Sequence, residues 1–484
     1  MSIRTSIVLR SPRRAHLAAS LAAVLGLSVS AAQADNVLPA GISTSTVRVL
    51  STTAVPPRSA KSIQPSTPHV VSTCADDGSP ESLRGVIDSA NTVSGDMIDL
   101  SGLMCSTITL DANKGEIVIP QSYLYLEGPG SHLLTIDADN LSRVFRHTGY
   151  GRLGISDLTI ANGAVDSTTL PYGGCIYSAG SVTLFQSAVS HCDLTSSSSL
   201  NAALGGGVYA HGVLTLNRST VTGSSAFAGQ GPNAVGVGAY AYGGFNAHYS
   251  EISGNSAIGS GGGLGYDGGV SVFGAVDIES STISENTANI VGGLGLRGGA
   301  AHAATITNST ISSNIAGKYY GGIFSNAPLT IDSSTVAFNR VRFGTAYSQG
   351  QGLFIQAQPA LLRNTIIAGN SGLEGSDDLG GSGAVTITGS HNLITSSSLP
   401  PLPDTISTCP GLQPLANNGG VTRTHALSRV SPAIDHGDAG NLLFDQRGAL
   451  RTVGAAADIG SVEWQQGETD ERVFVHGFDG LCDQ

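Results

Sequence analysis

The chain has 484 residues, of which 65 are glycine, so glycine makes up about 13% of the chain where ~7% is typical. Charged residues make up 12%, about half of the usual ~25%, while hydrophobic residues make up 40%. These values exclude a highly charged disordered chain and a long coiled coil, and the absence of a strict third-residue glycine period excludes collagen.

Residues 1–34 are typical of an export signal. Four arginines precede the apolar run 17–29, and Ala32-Gln33-Ala34 supplies a small-residue cleavage pattern. Arg13-Arg14 leaves the twin-arginine route open beside ordinary secretion. After removal of this segment the chain has 19 basic and 35 acidic residues, a net charge of −16, which disfavours nucleic acid and anionic membranes as partners. Since no later apolar run reaches the ~18 residues of a membrane span, we expect a secreted or bacterial outer-surface protein.

The first organised part of the chain follows a leader rich in Ser, Thr and Pro at 35–72. Ser79 suits a helix N-cap and Pro80 the first helical position, with Leu83 and Val86 on one face. Alternating apolar residues then predict strands from about residue 97. We therefore expect a strand-rich body over 73–400, with 73–100 as its N-terminal cap.

A repeat of 25–32 residues predicts the fold. Each copy contains short strands and Gly-rich turns but no helical segment, which indicates a stacked solenoid and excludes leucine-rich, ankyrin and tetratricopeptide arrays. The predicted fold class is all-β, a right-handed parallel β-helix. One β-branched residue marks each copy: Ile160, Val189, Val221, Ile252, Ile283, Ile311, Val336 and Ile367.

An asparagine stands three residues after the marker in five consecutive copies. Asparagine tolerates the left-handed conformation of a turn, and asparagines stacked at the strand spacing can form a hydrogen-bonded amide ladder. We assign a structural role to Asn255, Asn286, Asn314, Asn339 and Asn370.

The Gly-rich segments define two further columns of side chains. The aliphatic column reads Ile176, Val208, Ala239, Leu264, Leu294, Ile323 and Leu353, and the next position reads Tyr177, Tyr209, Tyr240, Gly265, Gly295, Phe324 and Phe354. Neighbouring strand residues face opposite sides. If the aliphatic column is core, an aromatic stripe is exposed and could stack on sugars; if the parity is reversed, the rings are core residues. The five aromatic residues are our candidate ligand-binding residues.

Six cysteines in an exported chain predict disulfides, and local spacing favours Cys74–Cys105, Cys175–Cys192 and Cys409–Cys482. The same alignment places Asp267 and Arg297 at matching positions one coil apart. The pair is interpreted as a surface ion pair, with a functional acid/cation pair as the alternative.

Two segments carry a resemblance to known families. Ser82-Leu83-Arg84, with Cys74 before it, is similar to the CSLREA-type N-terminal segment of bacterial β-helix proteins, although the cysteine is displaced. The motifs of 411–463 resemble the choice-of-anchor Q domain: Gly411-Leu412-Gln413-Pro414-Leu415-Ala416-Asn417-Asn418-Gly419-Gly420, Ser431-Pro432-Ala433-Ile434-Asp435, Asp445-Gln446-Arg447-Gly448 and Asp458-Ile459-Gly460. The repeats are also similar to those of polymorphic outer-membrane proteins.

These resemblances imply a right-handed parallel β-helix of the pectin-lyase-like type and a secreted or surface location, but no single activity. We expect 401–463 to cap the open edge of the last coil, with a tail at 464–484. Arg447 is expected to form a structural ion pair with Asp435 or Asp458.

An enzyme of this fold remains an alternative. Pectin hydrolases show Asn-Thr-Asp, Gly-Asp-Asp, Gly-His-Gly and Arg-Ile-Lys in that order, whereas this chain has Ser376-Asp377-Asp378 and His211-Gly212 in the opposite order. The candidates for catalysis are Asp377, Asp378, Asp267 and Arg297, with no cofactor and no metal.

The favoured interpretation is a non-catalytic, adhesin-like protein that binds a polysaccharide or cell-surface ligand along the solenoid flank. The alternatives are a polysaccharide lyase or glycoside hydrolase and a purely structural rod.

Overall fold

A computed structural model describes residues 68–90, 95–229, 233–259, 264–343, 350–372 and 377–465. The expected signal peptide, most of the leader, Cys482 and nearly all of the tail lie outside the described residues. Within the described ranges, no helix is both long enough and apolar enough to cross a membrane.

The described chain is a parallel β-solenoid of about eleven turns, as the sequence repeat predicts. The turns build three long sheets, which we call C, A and B in the order in which the chain passes through them, and seven turns among the described residues add a strand to a shorter sheet, D. Sheet A has twelve strands among the described residues: His69–Val70, Asp96–Asp99, Tyr123–Glu127, Arg152–Ser156, Ser181–Phe185, Val213–Asn217, Gly244–His248, Ala275–Glu279, Ala304–Thr307, Leu329–Asp332, Ala360–Arg363 and Ile387–Ser390.

Sheets B and C form the other two long sides of the solenoid. In the described ranges, the eleven strands of sheet B are Thr107–Thr109, Thr135–Asp137, Thr159–Ala161, Ala188–Ser190, Thr220–Thr222, Glu251–Ser253, Thr282–Ser284, Thr310–Ser312, Thr335–Ala337, Ile366–Ala368 and Leu393–Ile394. The ten strands of sheet C are, within the same ranges, Ile117–Ile119, Phe145–His147, Ile176–Ser178, Val208–Ala210, Ala239–Ala241, Val270–Val272, Leu294–Leu296, Ile323–Ser325, Leu353–Gln356 and Leu379–Ser382.

Shorter elements complete the turns. Sheet D has seven strands among the described residues: Ala164–Ser167, Asp193–Ser196, Ser225–Ala228, Ser256–Gly259, Thr287–Ala288, Ile315–Ala316 and Arg340–Val341. Ala203–Leu204 pairs with Ala234–Val235, and a 3₁₀ turn spans Gly299–Ala301.

The core lies inside the solenoid, and the marker residues are its sheet B column. Each marker pairs with the marker of the next coil, as Val189 does with Val221 and Val221 with Ile252. All eight markers are fully buried. Stacking identical apolar positions removes each coil's inner face from water only when its neighbours are present, which is why the repeat folds as an array.

The described part of the chain has one α-helix, Leu83–Ser89, which packs against the first coils and buries Leu83, Val86 and Ile87. It begins later than expected. Ser82, not Ser79, is the N-cap, since its hydroxyl accepts a hydrogen bond from the Gly85 N–H. Residues 79–82 form a turn in which the Ser82 N–H donates to the Ser79 carbonyl.

Two expected disulfides, Cys74–Cys105 and Cys175–Cys192, are present. Cys409 is also disulfide-bonded. Its expected partner, Cys482, lies outside the described residues, so that pairing remains a prediction.

The C-terminal segment, residues 411–463, lies along the outer face of sheet B. Thr310 Oγ1 donates to Gln446 Oε1 at 2.7 Å, and the Ser461 hydroxyl bonds to Thr335 Oγ1 at 3.1 Å. Further upstream, Arg423 forms ion pairs with Glu251 and Glu285. The segment therefore runs back over several coils, which differs from the expected cap on the last coil.

Leu399 and Leu402, which precede the C-terminal segment, pack against the core. The expected ion pair of Arg447 also differs in the structure. Arg447 pairs with Asp445 at 3.0 Å, while the Asp458 carboxylate accepts a hydrogen bond from the Asp435 N–H at 2.8 Å.

Candidate functional site

The amide ladder is present and fully buried. Each asparagine from Asn255 to Asn339 donates from Nδ2 to Oδ1 of the next asparagine at 2.9 Å. The left-handed conformation falls on the residue before the ladder asparagine, as at Glu285 (φ 58°) and Ser313 (φ 57°), and not on the asparagine itself. The asparagine side chains thus satisfy hydrogen-bonding groups of the backbone in the turns between sheets B and D.

Asp378, a candidate for catalysis, ends this ladder. Its Oδ1 accepts hydrogen bonds from the Asn370 N–H and Nδ2, both at 2.8 Å. Its Oδ2 accepts from the Thr395 hydroxyl and the Ser396 N–H. Burial raises the pKa of Asp378, while these hydrogen bonds oppose the rise. Because both oxygens are occupied inside the protein, the geometry favours a structural role.

Of the four catalytic candidates, Asp267 and Arg297 form an ion pair, but Asp377 and Asp378 lie far from it. Asp377 and Asp378 precede the strand Leu379–Ser382, which lies four strands along sheet C from Val270–Val272, the strand that follows Asp267. At ~4.8 Å per strand, Asp267 lies roughly 19 Å from Asp377 and Asp378. A glycosidase needs its two carboxyl groups within ~9.5 Å, so these acids do not form such a pair.

A third group of acids lies on the outer face of sheet A. Asp277 and Glu279 flank His248, whose Nδ1 is 3.2 Å from Glu279 Oε2 and whose Nε2 is 3.8 Å from Asp277 Oδ2. Both carboxylates are about half exposed. A general acid in a glycosidase is usually desolvated, so this open position disfavours catalysis. Within the described residues, no group of His, Cys, Asp and Glu is arranged to hold a metal ion.

The aliphatic column of sheet C faces the core, with Ile176, Val208 and Ala239 fully buried. The alignment was wrong at one coil. Ser271 pairs with Tyr240 and with Gly295, so Val270 and Ser271 hold the positions expected for Leu264 and Gly265. The source of the error is a second Gly-rich segment shortly before the true strand.

The aromatic column faces away from the interior of the solenoid, yet most of it is buried. Tyr209 is 7% exposed, Tyr240 5%, Phe324 8% and Phe354 6%, while Tyr177 is half-buried. The structure combines the two expected alternatives: the aliphatic column faces the interior, as the first assumed, and most of the rings are buried, as the second held. The parity is not reversed, because chain segments that precede sheet C strands form a second layer over the rings. The side chains of this layer include Leu204, Val235, Ile290 and Val291.

The tyrosines of this column form a continuous stack. The ring centroids of Tyr177 and Tyr209 are 5.4 Å apart, and those of Tyr209 and Tyr240 are 5.3 Å apart, with interplanar angles of 9° and 7°. Tyr172, from the covering layer, stacks on Tyr209 at 5.0 Å. Burial raises the pKa of Tyr209 and of Tyr240, so both hydroxyls stay protonated.

Asp267 and Arg297 fill the gap in this column at Ser271 and Gly295. Arg297 Nε and Nη2 donate to the two oxygens of Asp267 at 2.9 and 2.7 Å. Asp267 is fully buried, so the expected surface ion pair is incorrect. The positions also do not match, because Asp267 bridges to Val291. Burial works against the charge of Arg297, but Asp267 outweighs it and raises the pKa of Arg297.

A second row of side chains, immediately after the sheet C strands, reaches the surface. We call His211, Tyr242, Phe273 and Arg297 the outer row. Tyr242, Phe273 and Arg297 each donate a backbone hydrogen bond to the preceding coil. The rings of His211 and Tyr242 stack at 5.0 Å with an angle of 4°, and Tyr242 and Phe273 lie 5.9 Å apart. His211 is exposed, Tyr242 is 36% exposed and Phe273 is half-buried.

The sequence analysis missed the outer row as a set, although a signal was present. Each member precedes a glycine, and the four glycines are Gly212, Gly243, Gly274 and Gly298. At Gly274 a Cβ would lie 2.2 Å from the Gly243 carbonyl oxygen, so only glycine allows the coils to approach at this turn. The recurring glycine therefore marks a tight turn that directs the preceding side chain outward.

No family model matches the chain, and no curated protein matches it. Among solved structures, the crystal structure of the pectate lyase Pel9A is similar, with a TM-score of 0.43 and 16% identity over 83% of this chain and 98% of that chain. At this identity the likeness concerns the fold alone. The chain is a parallel β-helix protein, and the resemblances to choice-of-anchor Q and CSLREA proteins remain predictions.

Proposed function

We propose that this protein is an exported, non-catalytic β-helix protein that binds glycans on the sheet C flank. The observation that carries the proposal is the outer row, in which His211, Tyr242 and Phe273 stack at successive coils and keep part of their rings in contact with water. Aromatic rings supply apolar area beside a polar edge, which suits the faces and hydroxyls of sugars. The disulfides support export, since such bonds persist in oxidising compartments.

The side chains proposed to contact the ligand differ from the candidate ligand-binding residues of the sequence analysis. Tyr209, Tyr240, Phe324 and Phe354 are too buried to reach a glycan directly. Two of them contact the outer row from behind, because Tyr240 packs on Phe273 at 5.6 Å and the Phe324 ring lies under the Arg297 guanidinium. Tyr177 is the member of the original set that is half-buried and open to a ligand.

Native electrophoresis through gels cast with polysaccharides tests this function. The chain should be retarded in at least one gel, and a His211→Ala/Tyr242→Ala variant should bind about 2- to 10-fold more weakly for each ring removed. Phe185→Ala is the matched control, since that ring is 42% exposed on sheet A and lies away from the flank.

The other outcomes separate the alternatives. A cleared zone in the gel would show cleavage of the polymer and would favour a lyase or hydrolase. Equal retardation of the wild type and the outer-row variant would place binding elsewhere. Unaltered migration in every gel would leave a structural rod.

A further inference from the structure

Arg297 is the polar end of the outer row, and its side chain is held from several directions. Asp267 accepts hydrogen bonds from two of its N–H groups. The guanidinium also lies over the rings of Phe324 and Tyr266, at 5.3 and 5.6 Å from their centroids. The side chain remains 18% exposed, whereas Asp267 has no exposure. Arg297 can therefore touch a ligand, and Asp267 can only position Arg297.

The local sequence makes room for this pair. At Gly295 a Cβ would lie 2.5 Å from Asp267 Oδ1, so any larger residue would displace the carboxylate. Gly295 stands where other coils carry a tyrosine or phenylalanine. The aromatic column thus gives way to an ion pair at this coil, directly behind the outer row.

The chain also changes course next to Arg297. The turn from sheet C to sheet A contains the 3₁₀ turn Gly299–Ala301, whereas the preceding coil makes this turn with Phe273 and Gly274 alone. Asn326 Oδ1 accepts a hydrogen bond from the Gly299 N–H at 3.0 Å and fixes the longer turn. Arg297 is therefore placed where the regular row of rings stops.

The chemistry of the pair restricts the ligand. Arginine has five N–H donors in a plane, and a side-on pair through Nε and Nη2 turns Nη1 away from the carboxylate. The Asp267 charge cancels that of Arg297 locally, and the whole chain carries a net charge of −12. Because the Arg297–Asp267 pair has no net charge and the protein is acidic, we expect Arg297 to donate to a ligand hydroxyl in preference to a ligand carboxylate.

Resting on the proposed function, we infer that the outer row selects neutral, hydroxyl-rich glycans over polyuronates, with Arg297 as the specificity-determining donor and Asp267 as its positioning residue. The rings of Phe273 and Tyr242 contact the apolar faces of the sugars, and Arg297 donates to their hydroxyls.

Gels cast with hydroxyethyl cellulose or with polygalacturonate test this inference. We expect the wild type to be retarded by the neutral polymer and to migrate unchanged in polygalacturonate. Arg297→Lys keeps the charge but loses the planar fork, and Arg297→Gln loses both. Each should weaken neutral-polymer binding by about 5- to 10-fold while leaving the Tyr242 contribution intact, as measured by adding Tyr242→Ala to each variant.

Asp267→Asn gives the second arm, because it removes the cancelling charge while keeping a side chain of the same shape. This variant should gain retardation in polygalacturonate, and added salt should abolish that gain. Thermal unfolding of each variant identifies any that fail to fold, and Arg297→Lys, which alters the core least, then decides.

Two results would overturn the inference without touching the proposed function. One is equal binding of the wild type to the neutral and acidic polymers. The other is unchanged neutral-polymer binding by Arg297→Lys and Arg297→Gln while His211→Ala/Tyr242→Ala still loses it. Absence of wild-type binding to any polymer would instead remove the proposed function itself.

Discussion

Two of the long sides of the solenoid, those of sheets B and C, use stacked side chains differently. On the sheet B side, the asparagines repeat without interruption, and the ladder ends at the Ser224 N–H on one side and at Asp378 on the other. On the sheet C side, the tyrosine stack stops after Tyr240 and gives way to a buried ion pair. When the hydrogen-bonding groups of a ladder bond to one another, the ladder stabilises the fold but offers no donor or acceptor to a ligand. Where the tyrosine stack is interrupted, a different side chain, Arg297, reaches the surface.

The sheet C flank itself contains a buried and an open layer, which mutation should separate. Tyr240→Ala removes a ring that is 5% exposed and packs between Tyr209 and Phe273, so we expect a loss of about 3–5 kcal/mol in the free energy of unfolding. Tyr242→Ala, two residues away on the same strand end, should cost no more than about 1 kcal/mol. Denaturant unfolding followed by far-UV circular dichroism measures both values.

The reverse result would contradict the division of the flank into two layers. If Tyr242→Ala destabilised the protein as much as Tyr240→Ala, the outer row would be part of the packing. A role in stability would then explain the stacked rings without a ligand.

The amide ladder should respond to substitution at its centre. Asn314→Ala leaves the N–H and Nδ2 of Asn286 without their acceptor, and each buried orphan donor costs about 1–3 kcal/mol. We expect a loss of about 2–4 kcal/mol in the same unfolding measurement. Asn417→Ala, at an exposed asparagine, is the matched control and should change stability by less than about 0.5 kcal/mol. Equal effects of the two substitutions would show that the ladder contributes nothing.

Repetition explains which features could be predicted from the sequence. The markers from Ile160 to Ile367 recur once per coil, so their period gave the parallel solenoid and the register of sheet B. The ladder followed from the same register. Cysteine spacing gave Cys175–Cys192, since both residues belong to one coil.

Features that interrupt the repeat were harder to predict. The covering layer on sheet C comes from residues whose spacing varies from coil to coil, so the burial of Tyr209 could not be derived from strand parity alone. The Asp267–Arg297 pair was recognised, but its burial depends on Gly295 and on the covering layer. The C-terminal segment makes isolated antiparallel bridges, such as Leu412 with Leu427, and has no period that indicates where it packs.

The contact between sheet B and the C-terminal segment contains a histidine that predicts a pH dependence. His425 Nδ1 donates to the Gln413 carbonyl at 2.6 Å, which leaves Nε2 to accept a hydrogen bond from the Ser312 hydroxyl at 2.7 Å. Burial lowers the pKa of His425 to about 4, with the nearby Arg423 charge acting in the same direction. The folded protein therefore holds this imidazole neutral, while the unfolded chain protonates it at its ordinary pKa of 6.5.

Because the unfolded state binds the proton first, stability should fall as the pH drops from about 6.5 to about 4, by up to about 3 kcal/mol. His425→Gln cannot titrate and should lose this part of the pH dependence, while His302→Gln, at an exposed histidine, should retain it. Burial also raises the pKa of Glu463 to about 7, which acts with the opposite sign. That contribution is common to all three proteins and cancels in the difference. Parallel pH profiles for the wild type and His425→Gln would show that the histidine does not couple the C-terminal segment to sheet B.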